Sequence, residues 1–338
     1  MVIENNISLK GFNTFNIDVK ASYFATFDSY EALKKLVNHP LFKNENRLIL
    51  GGGSNVLFTQ NFDGIIARNA IGGIETLSDN GVIATIKVGA GVNWHDLVVY
   101  ALANNLGGIE NLSLIPGTVG AAPMQNIGAY GAEIKDVFVN LEAVNRQNGS
   151  LKIFDHQDCQ FGYRNSIFKS ELKDKYIISS VTLNLTRNHM INTSYGAIEE
   201  ILKEWSIKEP TIQDVSKAVI LIRSTKLPDP KKIGTAGSFF KNPIITLDKY
   251  YALKKTWTSL PGYTDSEGHI KVPAAWLIEK SGWKGKRLGD IGVHEDQALV
   301  LVNYGRGSGK EIYNLALEVQ KSIFENFKIT LDPEVKII

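Results

Sequence analysis

Residues Asn111 to Ala132, NLSLIPGTVGAAPMQNIGAYGA, contain no charged side chain. The run is long enough to cross a bilayer as a helix, yet it cannot do so. Pro116 and Pro123 remove helix hydrogen bonds. Gly117, Gly120, Gly128 and Gly131 break any helix register, and Asn111, Gln125 and Asn126 are costly in hydrocarbon. Uncharged, glycine-rich sequence suits a different task, that of bringing bare backbone N–H groups against a large flat or anionic ligand. The other reading is a buried loop beside a sheet, which would leave polar main chain unpaired. A ligand loop is therefore expected.

The 338 residues exceed one ordinary domain and imply two or three cores. Lys and Arg total 37 against 35 Asp and Glu, a net charge of +2. That balance argues against a dedicated nucleic-acid binder, which would be strongly basic. A single cysteine, Cys159, excludes an internal disulfide and the multi-cysteine zinc patterns, and the six histidines contain no His-x-x-x-His pair, so no metal site is expected. MVIENNISLK lacks the basic start and apolar run of a signal peptide. A soluble, cytoplasmic, monomeric protein without nucleic-acid or membrane partners is the expectation.

Arg47 to Leu50 runs into Gly51-Gly52-Gly53-Ser54-Asn55 and then Val56-Leu57-Phe58, which reads as strand, tight turn, strand. Asp28-Ser29-Tyr30-Glu31 predicts a capping box opening a helix with Leu33, Leu36 and Val37 inward. Val82 to Val88, Val137 to Val144 and Tyr176 to Leu185 read as strands. Asn93 is expected to cap a helix burying Leu97, Ala101 and Leu102 and closing at Gly107-Gly108. Thr211-x-x-Asp214 predicts a second capped helix with Val215, Ala218, Val219 and Ile222 inward. Leu227-Pro228-Asp229-Pro230-Lys231-Lys232 is the best domain boundary. Beyond it Lys310 to Phe327 carries Ile312, Leu315, Val319, Ile323 and Phe327 in helical register.

The glycines do not make a Rossmann fingerprint, because Gly51 and Gly53 are followed by Val56 and the turn leads into strand-like residues. A Walker loop is also absent: Gly309-Lys310 is followed by Glu311, and a solvated loop before a helix is expected there. What remains is a pair of glycine loops beside strands. Gly52, Gly53, Ser54 and Asn55 offer one set of N–H donors. Pro116 to Ala122 offer another, with Ala121 and Ala122 permitting close approach. Such a pair suits an extended dinucleotide, and Ile115, Val119 and Ile127 would wall a flavin ring.

LGGGSNVL (Leu50 to Leu57), IPGTVGAAPMQNIGAYG (Ile115 to Gly131), FGYRNSIFK (Phe161 to Lys169), TKLPDP (Thr225 to Pro230), GSFFKNP (Gly237 to Pro243) and DPEV (Asp332 to Val335) follow one another along the chain. In this order they resemble the UDP-N-acetylenolpyruvoylglucosamine reductase family over nearly the whole sequence. The Tyr195-Gly196 pair and the chain length resemble its longer type, in which a tyrosine loop closes over the substrate. The resemblance implies an α+β protein. Residues 1–227 would form an FAD-binding region of the vanillyl-alcohol-oxidase type, with subdomains at about 1–67 and 68–227 and completed by the tail 329–338. Residues 228–328 would form a separate α+β substrate-binding domain.

The family reaction reduces an enolpyruvyl ether. NADPH reduces FAD, hydride passes to the vinyl carbon, and a proton reaches the carbon bearing the ether oxygen. Charge develops on the substrate carboxylate, which calls for a cation and a nearby acid. By resemblance, Arg164 grips that carboxylate, Glu334 partners the enolate, and Ser238 donates the proton, with Lys241 and Asn242 near it. The resemblance assigns FAD to Gly51, Gly52, Gly53, Ser54, Asn55, Ile115, Pro116, Gly117, Thr118, Gly120, Ala121, Ala122, Ile127, Gly128 and Arg223. It assigns the UDP-sugar to Tyr163, Tyr195, Lys226, Asn242, Tyr263, Lys271 and Gln297, and leaves His294 structural. Ala121-Ala122 stand where serines are common in the family, so backbone donors would have to replace hydroxyls. The competing readings are a related FAD oxidoreductase acting on another small alcohol or sugar, and a non-catalytic flavin or UDP-sugar binding module.

Overall fold

A computed structural model describes residues 2–265 and 268–338. Contacts divide it into two units. The first comprises residues 1–7, 21–52 and 63–225, and the second residues 8–20, 53–62 and 226–338.

The first unit is built on two sheets. One has four strands in the order Ile3–Ser8, Lys20–Phe27, Phe62–Asn69, Arg47–Leu50, the last two running parallel. The helix Tyr30–Asn38 buries Leu33, Leu36 and Val37 in a cluster with Phe27, Ile65 and Ala67. Its cap is Ser29, whose Oγ accepts from the Ala32 N–H, one residue later than the Asp28 box predicted. The other sheet is antiparallel throughout, in the order Leu151–Asp155, Phe138–Asn145, Tyr176–Thr186, Ile83–Gly89, Ile74–Asp79. Tyr176–Thr186 lies at its centre, which explains its β-branched, almost continuously buried sequence. The helix Trp94–Ala103, capped by the Asn93 side chain, covers this sheet with Trp94, Leu97, Val98 and Ala101. It ends at Ala103 and not at Gly107-Gly108. Gly107 is bridged to Thr186 and packed against His189, so its glycine serves the sheet edge instead. Helices Gly196–Glu204 and Ile212–Lys226 share a smaller core of Ile198, Leu202, Val215, Val219 and Ile222.

The second unit packs Gly309–Phe327, with Ile312, Leu315, Val319, Ile323 and Phe327 all buried, against Phe239, Phe240, Leu277, Ile278 and Val293. Two small sheets complete it. One orders Ile244–Ile245, Ile270–Lys271 and Tyr263–Thr264, the other Arg287–Leu288, Ile291–Val293 and Leu301–Asn303. Gly309 is no solvated loop: it is buried at the first turn of its helix, where any Cβ would collide with the Phe58 carbonyl. The tail also departs from expectation. Lys336–Ile337 pairs parallel with Val56–Leu57, and Leu331, Val335 and Leu57 enter one core, so 329–338 groups with the second unit and not with the first.

Candidate active site

In the first unit the uncharged run winds through single turns of 3-10 helix at Glu110–Leu112, Val119–Ala121 and Pro123–Gln125 before the short strand Gly128–Ala129. Main-chain bonds fasten it to the segment before helix Trp94–Ala103. The Trp94 N–H donates to Gly117 O at 3.0 Å, Val119 N–H to Val92 O at 2.9 Å and Gly120 N–H to Ala90 O at 2.9 Å. The first glycine loop lies directly against this run. A Cβ on Gly51 would stand 2.5 Å from Thr118 Oγ1, and one on Gly52 would stand 3.2 Å from Gly117 Cα. Two bare main chains side by side are the surface a pyrophosphate and a flat ring require, so the residues fit FAD. Gly53 adopts φ +64 with its Cα backed onto the Phe12 carbonyl, so glycine is obligatory there as well.

Not every assigned flavin contact keeps the role expected of it. The N–H groups of Val119, Gly120, Ala121 and Ala122 all donate to protein carbonyls, so they do not replace the missing hydroxyls. Short turns consume those of Ala121 and Ala122, and the Ala90–Val92 segment takes those of Val119 and Gly120. Ala122 and Ile127 are buried in the core cluster, while Ile115 packs on its edge. Pro116 and Ala121 are exposed and Ser54 is half-buried. Asn55 has structural work: its Nδ2 donates to Glu334 O at 3.2 Å and its carbonyl accepts from the Lys336 N–H.

Arg164 occupies the tight turn Gly162–Asn165 with φ +52, a conformation a side-chain-bearing residue rarely takes. Its Nη1 donates to Gly128 O at 2.8 Å, so the carbonyl of an assigned flavin contact orients the guanidinium. The same guanidinium carbon lies 5.9 Å from the centre of the exposed Tyr163 ring. Arg223, on Ile212–Lys226, donates from Nε to Leu114 O at 3.3 Å and hydrogen-bonds the Tyr130 hydroxyl. Burial depresses its guanidinium and raises the Tyr130 phenol above its ordinary value. Tyr130 in turn meets Tyr195 edge-on, ring centres 5.0 Å apart. The loop before Tyr195 is pinned by Asn111, whose Nδ2 donates to Tyr130 O and Asn192 O. Tyr130, visible in the sequence only as a loop aromatic, is thus joined to both Arg223 and Tyr195.

In the second unit the GSFFKNP segment is the centre of a small arrangement. Gly237 takes φ +73 and launches the exposed Ser238, which bridges to Val300. Phe239 N–H donates to Leu299 O on that side. On the other side the tail lies alongside: Glu334 N–H donates to Phe239 O at 2.8 Å and Lys241 N–H to Asp332 O at 2.9 Å. The main chain thus sets Glu334 against Phe239, the residue after Ser238, with Gln297 in the turn that leads to Leu299 and Val300. Tyr263 and Lys271 are direct cross-strand partners, so they share one face of their sheet. Asn242 is tied down by its Oδ1, which accepts from Ala274 N–H and caps helix Ala274–Lys280. Lys226 is exposed at the end of its helix. His294 is buried, its Nδ1 accepting from Asp296 N–H. Among the described residues, no group of His, Cys, Asp and Glu could hold a metal ion, and no helix is long and apolar enough to cross a membrane.

Residues 21–155 match the FAD binding domain family, which makes the chain a flavin-binding protein with an α+β fold. Residues 229–338 match the UDP-N-acetylenolpyruvoylglucosamine reductase C-terminal domain. Reductases of that name from Flavobacterium johnsoniae and Amoebophilus asiaticus are 50% and 49% identical to it, each with 100% of both chains covered. The one from Pseudomonas fluorescens is 46% identical over 98% of both. The crystal structure of the Thermus caldophilus reductase shares the fold, with a TM-score of 0.68 at 24% identity, covering 100% of this chain and 99% of that one. The chain belongs to the UDP-N-acetylenolpyruvoylglucosamine reductase family. It is an FAD enzyme that reduces the enolpyruvyl UDP-sugar to UDP-N-acetylmuramate at the expense of NADPH, in peptidoglycan precursor synthesis.

Proposed function

We propose that Arg164, Ser238 and Glu334 carry the chemistry of this reduction, in a cytoplasmic, monomeric enzyme without membrane association. Bound FAD supplies the hydride chemistry. In the first unit, Gly51, Gly52, Gly117 and Thr118 receive the cofactor on bare main chain. Arg164 is aimed by the bond from its Nη1 to Gly128 O. A guanidinium gripping the substrate carboxylate stabilises the charge that develops there, an effect typically worth about 3–4 kcal/mol for a well-placed donor. In the second unit, Ser238 gives its hydroxyl proton to the carbon bearing the ether oxygen, and Glu334, in its protonated form, shares its proton with the enolate-like oxygen. Tyr263, Lys271 and Gln297 hold the UDP-sugar, with Tyr163, Tyr195, Lys226 and Asn242 contributing. On this reading residues 1–227 are the FAD-binding region and residues 228–328 the substrate-binding part.

The observation that carries this reading is the pairing of the tail with the GSFFKNP segment, which sets Glu334 beside the segment bearing Ser238. The test is a pair of half-reactions. Yellow protein should bleach with NADPH and regain its colour with the enolpyruvyl substrate. Ser238→Ala should leave bleaching intact and slow reoxidation by about 10²–10⁴-fold, the range for a lost general acid. Equal loss in both halves would assign Ser238 to binding or folding instead.

A further inference from the structure

Leu114 stands at the entry to the flavin loop, immediately before Ile115-Pro116-Gly117, and its φ is +58. A leucine pays of order 1 kcal/mol or more to sit in that region, where glycine or asparagine is usual. Its peptide groups offset that cost. The Leu114 N–H donates to His95 Nδ1 at 3.0 Å, and Leu114 O accepts from Arg223 Nε at 3.3 Å. Both polar atoms of one strained residue are therefore held by side chains from two helices, Trp94–Ala103 and Ile212–Lys226.

We infer that His95 is a positioning residue for the flavin: with Arg223 it clamps Leu114 in the left-handed conformation from which Ile115, Pro116 and Gly117 are presented to the cofactor. The inference rests on the assignment of that loop to FAD. Only an imidazole with an unprotonated Nδ1 can accept from the Leu114 N–H. A proton at Nδ1 replaces the acceptor by a donor and sets two N–H groups against each other. Three influences act on that proton. Burial opposes it, the Arg223 guanidinium opposes it, and Asp96 beside it on the same helix favours it; burial dominates and holds His95 below its ordinary value of 6.5. The sign follows from linkage. An unclamped or unfolded chain takes up a proton at His95 near pH 6.5, before the clamped chain does. The clamp is at full strength above that pH and weakens as pH falls from there toward the depressed value.

The test measures the FAD dissociation constant by flavin fluorescence, from pH 8 to pH 5.5, on the full chain and its variants. Visible-region circular dichroism of bound flavin serves as a second readout. In the wild type, affinity should fall by about five- to tenfold across that range, the size of one lost hydrogen bond. His95→Asn places an amide oxygen where Nδ1 was, so it should bind within about threefold of the wild type at pH 8 and show no such pH slope. His95→Ala should bind about five- to tenfold more weakly at pH 8. Wild-type affinity in His95→Ala, or a wild-type pH slope in His95→Asn, overturns the inference. Gly117→Val, made in parallel, separates it from its premise. Unchanged FAD affinity in that variant would show that the loop does not line the flavin site, whatever His95 does.

Discussion

Gly51→Ala tests the contact between the glycine loops at its tightest point. The new methyl would lie 2.5 Å from Thr118 Oγ1. An ordinary carbon–oxygen contact is about 3.4 Å, so something must yield by nearly 1 Å. Thr118 can rotate about χ1, or the Gly117–Gly120 loop can retreat from Gly51. Backbone strain is not at issue, because Gly51 does not adopt the left-handed conformation. Overpacking of this size costs about 1–3 kcal/mol. If the loop retreats, the cost falls on FAD and weakens its binding by about ten- to a hundredfold. The geometry also names the rescue. With Oγ1 removed, the next atom is Thr118 Cβ at 3.7 Å, ordinary van der Waals contact. Gly51→Ala should therefore cost less in a Thr118→Ala background, with a coupling of about 1–2 kcal/mol. Thermal melting of FAD-free protein reads the clash, and FAD titration of the four proteins reads its effect on the site. Additivity within about 0.5 kcal/mol in both would show that the loops do not meet as described.

Two further outcomes are expected. Asn303→Ala should destabilise the second unit by about 2–4 kcal/mol in urea unfolding, because its buried amide makes bonds to Phe15 O, Gly307 O, Gly305 N–H and Gly307 N–H. A milder loss would show that the freed groups find other partners. Cys159 is buried, and burial with Asp158 and Asp155 nearby pushes its thiol up to about 12. A thiol-specific disulfide reagent at pH 8 should thus leave native protein unmodified and react once it is unfolded; rapid reaction of the native state would refute the burial.

The elements themselves were largely legible. Thr211 and Asp214 cap a helix as their spacing predicts, and the apolar register of residues 310–327 is the register that is buried. Boundaries set by tertiary contacts were not. Nothing local distinguishes Gly107-Gly108 as a sheet-edge bridge from a helix stop, nor marks Gly309 as a packing glycine against Phe58. The glycine loops were recognisable as a ligand surface, but the count of available donors was not, because 3-10 turns consume the N–H groups of Ala121 and Ala122. Asn55 and Asn242 read as ligand contacts; their bonds to Glu334 O and Ala274 N–H join segments that are distant or separate in sequence. His95 acts on a main-chain group 19 positions away, a partnership that no pattern within one helix announces.

The parallel pairing of Val56–Leu57 with Lys336–Ile337 has a consequence for the birth of the molecule. Every segment of the first unit has been synthesised once Thr225 has been added. The second unit recruits residues 8–20 and 53–62 from the beginning of the chain, and the strand that completes their pairing comes some 280 positions later, at residues 336–337. During translation those early segments must wait, their apolar groups Phe15, Ile17 and Leu57 without the core they will share with Leu331 and Val335. Such long-range closure is slow and leaves apolar surface exposed meanwhile. The order of assembly is thus written into the topology: the first unit has its sequence early, and the unit carrying Ser238 and Glu334 closes last.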